Sequence, residues 1–285
     1  MAAEYDPRQT RAFYDAYGDA EWSRLEATAY GRLQAVIHAD FIQQYVRQGH
    51  RVLDVGSGPG RFSIEIARLG AAVTVCDLSP GQLDMARQRI NKAGLGSRVE
   101  RYLAADVADL SEFEDGAFDV TVCFGGALSY VCGRRHQAAA ELVRVTKPAG
   151  ALLVSVMSRY GATAALARRP NLTALADPES AGIWTVLEHG DLAGFASRHV
   201  PTMPHPPMHL YDNAELRALF PTCETLAVAG SNVCTYEGAE QFEAVASDPS
   251  AWETVVELER QLSRIPGLVD SGSHIILAAR TPTRV

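Results

Sequence analysis

From Arg51 to Met157 the chain alternates short apolar runs with amphipathic stretches, and nothing else in the sequence constrains the fold as much. The runs "RVLDV" (51–55), "AAVTVCD" (71–77), "RVERYLAAD" (98–106), "FDVTVCF" (118–124) and "ALLVSVM" (151–157) read as strands. Between them "GRFSIEIARLG" from Gly60, "SPGQLDMARQRINKAG" from Ser79 and "RRHQAAAELVRVTKPAG" from Arg134 read as helices. Ser79 is an N-cap with Pro80 at the first helical position. The second and fourth runs are apolar almost throughout. Strands without polar alternation are covered on both faces, so the expectation is a parallel sheet with helices on either side, a doubly wound α/β fold.

The flanking segments divide the rest. "DAEWSRLEATAYGRLQAVIHADFIQQYV" (19–46) predicts one helix with Asp19 as N-cap and Leu33, Ile37 and Phe41 inward, preceded by a short helix that stops near Gly18. Residues 158–210 carry several prolines and no long period, and they are too long for a plain connection, which predicts a cap inserted in the sheet domain. "DNAELRALF" then reads as a helix capped by Asp212, "CETLAVAG" (223–230) as a strand, 236–266 as a helix and "SHIILAAR" (273–280) as a last strand. The expected organisation is an N-terminal helical segment (1–49), a core (50–157), a cap (158–210) and a C-terminal part of the sheet domain (211–285).

Charge and cysteines narrow the function. Lys+Arg 26 against Asp+Glu 34 leaves a net charge of −8, which repels a phosphate backbone and excludes nucleic acid as the expected main partner. No apolar run reaches membrane-spanning length and "MAAEYDPRQT" lacks the apolar centre of a signal peptide, so the expectation is a cytoplasmic protein without a membrane partner. The 5 cysteines form no C-x-x-C pair, so neither a disulfide framework nor a metal site is expected, and Cys76 and Cys123 read as small core residues. No feature fixes an oligomeric state.

The loop "DVGSGPG" (54–60) follows the first strand, where open α/β sheets bind ligands. Gly56, Gly58 and Gly60 let a backbone come close to a ligand, and the next helix offers free N–H groups. Asp77 ends the second strand, the place of an acid that holds the two hydroxyls of a ribose. The expected ligand is therefore an adenosine compound. A nicotinamide fingerprint needs a glycine where Arg61 stands, and Asp54 has no role beside a pyrophosphate but suits a ligand with a cationic amino group.

Five stretches, "VLDVGSGPGRF", "VCDLS", "AAD" (104–106), "FDVTVCFGGALSY" and "ELVRVTKPAGALLVSV", together resemble a class I S-adenosylmethionine-dependent methyltransferase of the small-molecule type. The resemblance spans about residues 50–157. It implies a Rossmann-like sheet of seven strands with the last antiparallel, and S-adenosylmethionine as cofactor. It further implies that Asp54, Gly56, Ser57, Gly58 and Gly60 face the methionine part. Asp77 would hold the ribose, Leu78 would pack on adenine, Asp106 would accept from the adenine amino group beside Val107, and Phe124 and Gly125 would border the sulfonium. Where methyltransferases of nucleobases and amides carry an Asn/Asp-Pro-Pro-Tyr motif, this chain has "FGGALSY", which lowers those substrates.

For the acceptor side, "PHPPMHLYD" supplies His205, His209 and Tyr211. His209 is the first choice for a general base because imidazole titrates near neutrality. A metal reading of His205 and His209 fails because Pro206 and Pro207 forbid the helix that would align them. Trp184, His189, His199 and Tyr130 are candidate substrate contacts. The aromatic N-terminal segment "FYDAYGDAEWSRLE" either joins the core or closes over the cofactor. In the second case Tyr14 touches the cofactor, Tyr17 faces the reaction centre and Arg24 pairs with the methionine carboxylate. The expected function is O-methylation of a metabolite in secondary metabolism. The alternatives are N- or C-methylation, a nicotinamide-dependent oxidoreductase, and an inactive cofactor-binding scaffold.

Overall fold

The computed structural model describes residues 4–167, 181–196, 200–236 and 238–283. His199, a candidate substrate contact, lies outside them.

Seven strands form one sheet: β1 (Arg51–Val55), β2 (Ala72–Asp77), β3 (Val99–Ala104), β4 (Phe118–Cys123), β5 (Thr146–Met157), β6 (Glu224–Ser231) and β7 (His274–Arg280). Their order is β6-β7-β5-β4-β1-β2-β3. β1 to β5 run parallel, with Asp54 beside Val75 on one side and Val122 on the other. β7 runs antiparallel to both of its neighbours. Leu53 and Val55 pack in one apolar cluster and Val52 in another, so consecutive residues of β1 bury opposite faces. That is why valine, leucine and other apolar residues make up most of β1, β2 and β4.

The helices that matter for the site begin with α1 (Pro7–Tyr17), α2 (Ala20–Ser23) and α3 (Ala29–Tyr45). The Asp6 carboxylate caps α1 by accepting from Arg8 N at 2.9 Å. The single helix expected over 19–46 is broken. Thr28 starts a new helix by accepting from Gly31 N at 3.0 Å, and a Cβ on Gly31 would lie 2.0 Å from the Arg24 carbonyl. The turn between α2 and α3 thus folds tightly against the first turn of α3. Asp19 caps nothing because its carboxylate pairs with Arg89.

After the sheet crossings come α4 (Arg61–Arg68), α5 (Pro80–Lys92), α6 (Ala127–Tyr130) and α7 (Arg135–Val145). Beyond β5 the chain forms α8 (Arg159–Ala167) and α9 (Ala181–His189). Two pairs of two-residue strands follow, Asp191–Leu192 with Met208–His209 and Phe195–Ala196 with Pro204–His205. Val186, Met208 and Leu210 pack there on Tyr130 and Met157, which joins this insertion to the sheet domain. The helix expected over 236–266 is two helices, α11 (Glu240–Val245) and α12 (Pro249–Leu262), after the short α10 (Asn213–Ala218). Asp248 caps α12 and Pro249 occupies its first turn, so no helix continues through them.

Candidate cofactor and acceptor site

A pocket opens at the carboxyl ends of β1, β2, β3 and β4. It is walled by Gly56, Ser57 and Gly58 after β1, Asp77 and Leu78 at β2, Asp106 and Val107 after β3, and Phe124 and Gly125 after β4. Tyr14, Arg24 and Tyr130 complete the set of expected residues that reach it.

The three glycines have different reasons. All have positive φ, at +69°, +52° and +85° for Gly56, Gly58 and Gly60. A Cβ on Gly56 would lie 2.6 Å from Ala127 Cβ, and one on Gly60 would lie 2.9 Å from Ala86 Cβ. These two glycines are required by the close passage of α6 and α5, not by a ligand, and Gly60 is not on the pocket wall. At Gly58 the nearest atom to a Cβ is Glu21 Cγ at 3.6 Å. Gly58 is the glycine whose open side faces the pocket. Gly56→Ala should therefore cost stability, about 2–3 kcal/mol from left-handed strain plus the clash. Gly58→Ala should cost about 1–2 kcal/mol from strain alone. Denaturant unfolding of the two variants checks the order.

Asp77 is buried and faces no cation. Its Oδ2 accepts from Gly58 N at 2.8 Å and its Oδ1 from Ser79 N at 2.8 Å, which leaves each oxygen free to accept once more. Burial, with repulsion from Glu21 and Asp15 added, pushes this carboxyl up to about 6 against the relief from the two N–H donors. A pair of ligand hydroxyls donating to it would complete its hydrogen bonding. Beside it the Asp106 Oδ1 accepts from Ala108 N at 2.8 Å, and the Tyr5 hydroxyl donates to the Asp106 carboxylate. Tyr5 is on the pocket wall and was not expected. Aromatic residues close to a chain terminus carry no periodic signal.

Asp54 is not on the wall. It is 1% exposed, and its Oδ2 accepts from Ser63 Oγ of α4 at 2.6 Å. Burial raises its carboxyl to about 7. The acid that does reach the wall is Glu21, whose carboxylate takes the Nε and Nη2 of Arg24 at 2.8 and 2.6 Å. The pair spans from Gly58 to Gly125, where a Cβ would lie 3.7 Å from Arg24 Nη2. Trp22 is also on the wall, with Arg61 and Arg89 at 4.0 and 4.6 Å from its ring. The N-terminal segment is tied across the site by α5. Ser79 Oγ donates to Asp15 at 2.5 Å, and Gln82 Nε2 donates to the Tyr14 and Gly18 carbonyls at 2.9 and 3.1 Å.

Because Asp54 and Asp77 are raised from 3.8, the folded chain binds more protons than the unfolded one between about pH 4 and 7. Their contribution to the stability of the unliganded protein is fully present below pH 4 and falls as pH rises through about 6 and 7. Ligand hydroxyls need the ionised Asp77, so adenosine-ligand affinity should rise between pH 5.5 and 7.5. Calorimetry at the two values measures it.

The Phe124–Gly125 loop is fixed from below. Gly125 N donates to Ser155 Oγ at 2.9 Å, and Ser155 Oγ meets His38 Nε2 at 3.0 Å. Burial lowers His38 to about 4, so it is a neutral strut.

Several expected residues lie elsewhere. His209 is 2% exposed, with Nδ1 at 2.8 Å from Asp191 Oδ1 and Nε2 at 2.7 Å from Glu215 Oε1. Both nitrogens are committed to carboxylates, and His209 is not on the pocket wall. Tyr211 is fully buried, and its hydroxyl donates to the Leu128 carbonyl at 3.1 Å. Tyr17 stacks on Phe13 at 5.6 Å and is not on the wall. Trp184 is 60% exposed and His189 is exposed beside Glu188, so neither contacts the pocket described. Among the described residues no group of three or more His, Cys, Asp or Glu could hold a metal ion. No described helix is long and apolar enough to cross a membrane.

Sheet order, glycine loop and an acid ending β2 define a class I S-adenosylmethionine-dependent methyltransferase domain. Residues 52–150 match the methyltransferase-domain family. The chain is 37% identical over 110 residues to a malonyl-acyl-carrier-protein O-methyltransferase of Serratia marcescens, covering 39% of this chain and 39% of that protein. It is 40% identical over 120 residues to a ubiquinone biosynthesis O-methyltransferase of Xanthomonas oryzae, covering 42% and 48%. The chain thus spans less than half the length of these curated relatives. A solved structure titled a 4+2 cyclase shares the fold over 98% of this chain and 97% of that one, with TM-score 0.62 and 18% identity. The fold alone therefore does not dictate methyl transfer, and the activity has to be argued from the site.

Proposed function

We propose that the chain transfers a methyl group from S-adenosylmethionine to an oxygen of a small-molecule metabolite, in the cytoplasm and in secondary metabolism. One observation carries the reading. A buried, cation-free Asp77 and the Glu21–Arg24 pair stand on the wall of a single pocket, at places suited to a ribose and to an α-amino acid. Arg24 would take the cofactor carboxylate and Glu21 its ammonium, with Leu78, Val107 and Asp106 around adenine. A pyrophosphate fits poorly, because the Glu21 carboxylate approaches Gly58 and repels it, which weighs against a nicotinamide cofactor.

When bound, the cofactor supplies an activated methyl on sulfur. The chain supplies position and a dry wall, with Phe62 and Phe124 on the pocket and α1 tied across it. The names of the two relatives above support oxygen as the acceptor. Calorimetric titration with S-adenosylhomocysteine and with NADH tests the reading. The expected result is binding of the first alone, and binding of NADH alone would overturn it. Turnover then separates an enzyme from an inactive scaffold. Arg24→Ala should raise the Kd for S-adenosylhomocysteine at least tenfold, the size of a charged hydrogen bond, and leave that for methylthioadenosine nearly unchanged.

A further inference from the structure

The insertion places His205 behind the pocket wall, against Tyr130. Tyr130 of α6, on the wall, has its hydroxyl 3.2 Å from His205 Nε2. The other ring nitrogen, Nδ1, lies 2.9 Å from the Pro206 carbonyl. A carbonyl only accepts, so Nδ1 carries the proton and Nε2 is an acceptor. Tyr130 therefore donates to His205. The Tyr14 ring meets that of Tyr130 edge-on with centroids 5.5 Å apart, and both rings are on the wall. The Tyr130 proton thus points away from the pocket and toward the imidazole. Phe13 of α1 packs edge-on against the His205 ring at 4.9 Å and holds it.

We propose that His205 is the terminal proton acceptor in methylation of a phenol-type hydroxyl, reached from the pocket through Tyr130. This rests on the methyltransferase reading above and names its acceptor class. As the acceptor oxygen bonds to the methyl carbon, the carbon–sulfur bond breaks and sulfur keeps the electron pair. The acceptor proton passes to the Tyr130 oxygen and that of Tyr130 to Nε2. Tyr130 ends as it began, and His205 becomes an imidazolium whose Nδ1–H still donates to Pro206.

The surroundings keep His205 ready to accept. Among the described residues the titratable and charged groups around the pair include Tyr14 and Tyr17 from α1, Glu21 of α2 with Arg24 just after it, and Tyr130 from α6. Burial raises the Tyr130 phenol far out of range as a base itself, so it serves by passing its proton on. Burial lowers His205, against the pull of the Pro206 carbonyl, so it is neutral near pH 7 and its imidazolium is short-lived. His205 touches no ligand directly and acts as a positioning and proton-accepting residue.

Two measurements test the proposal. Long-range nitrogen–proton NMR on the whole chain at pH 7, with and without S-adenosylhomocysteine, should show His205 as the Nδ1–H tautomer. The Nε2–H tautomer or an imidazolium would overturn the relay, whether or not the cofactor analogue binds. Failure of the analogue to bind would instead overturn the methyltransferase reading. The second measurement follows methylation of phenol and 4-nitrophenol. His205→Ala should lower turnover of phenol about 10²-fold and of the more acidic 4-nitrophenol much less, with unchanged Kd for S-adenosylhomocysteine. His205→Gln should not restore the rate or the rise of rate with pH. Equal losses on both phenols, rescue by glutamine, or no methylation of either by the wild type would refute it.

Discussion

Asp77→Ala should weaken S-adenosylhomocysteine binding by about 10²-fold or more. The carboxylate would accept two hydroxyl donors, each charged hydrogen bond contributing about 1.5–3 kcal/mol. The substitution also strips Gly58 N and Ser79 N of their acceptor, so the loop after β1 and the start of α5 lose the atom that joins them. Asp77→Asn separates the two effects, since its side-chain oxygen still accepts from one of the N–H groups. A Kd within threefold of wild type for Asp77→Ala would remove Asp77 from the binding site.

The second large effect falls on stability. His209 joins Asp191 at the edge of the insertion to Glu215 of α10, where Arg159 also pairs with Glu215. Burial pushes Glu215 up, and the His209 hydrogen bond with the charges of His209, Arg159 and Arg135 brings it below its ordinary value. Removing the imidazole leaves two carboxylates facing an unfilled space. His209→Ala should therefore destabilise the fold by about 3 kcal/mol or more, as breaking a buried ion pair does. Affinity for S-adenosylhomocysteine should not change. Denaturant unfolding and calorimetry on the same variant check both parts, and a stable variant with impaired turnover alone would restore His209 to the reaction.

The strands of the sheet were legible because burial on both faces leaves an apolar run that only the element boundaries blur. The pocket wall was legible where a local rule fixes it. Asp77 ends a strand, Gly58 follows one, and Phe124 and Gly125 follow another. Asp54 misled because its position along β1 says which face it takes but not that α4 offers Ser63 to hold it there. Gly60 misled for the same reason, since Ala86 meets it only in three dimensions, whereas Gly56 is on the wall and also makes room for Ala127. His205 and His209 stand four residues apart in one proline-rich loop, and sequence could not rank them. The ranking comes from Asp191 and Glu215 on one side and Tyr130 on the other. Glu21 carries a signal that could have been used, a carboxylate three residues before an arginine already assigned to a zwitterion.

Hydrogen–deuterium exchange with and without S-adenosylhomocysteine tests the central claim most directly. One cofactor pocket at the strand ends, closed by the N-terminal segment, predicts protection around residues 55–62, 77–78, 105–107 and 124–127 together with 10–25. Protection confined to other parts of the chain, or binding that leaves these segments unchanged, would contradict it.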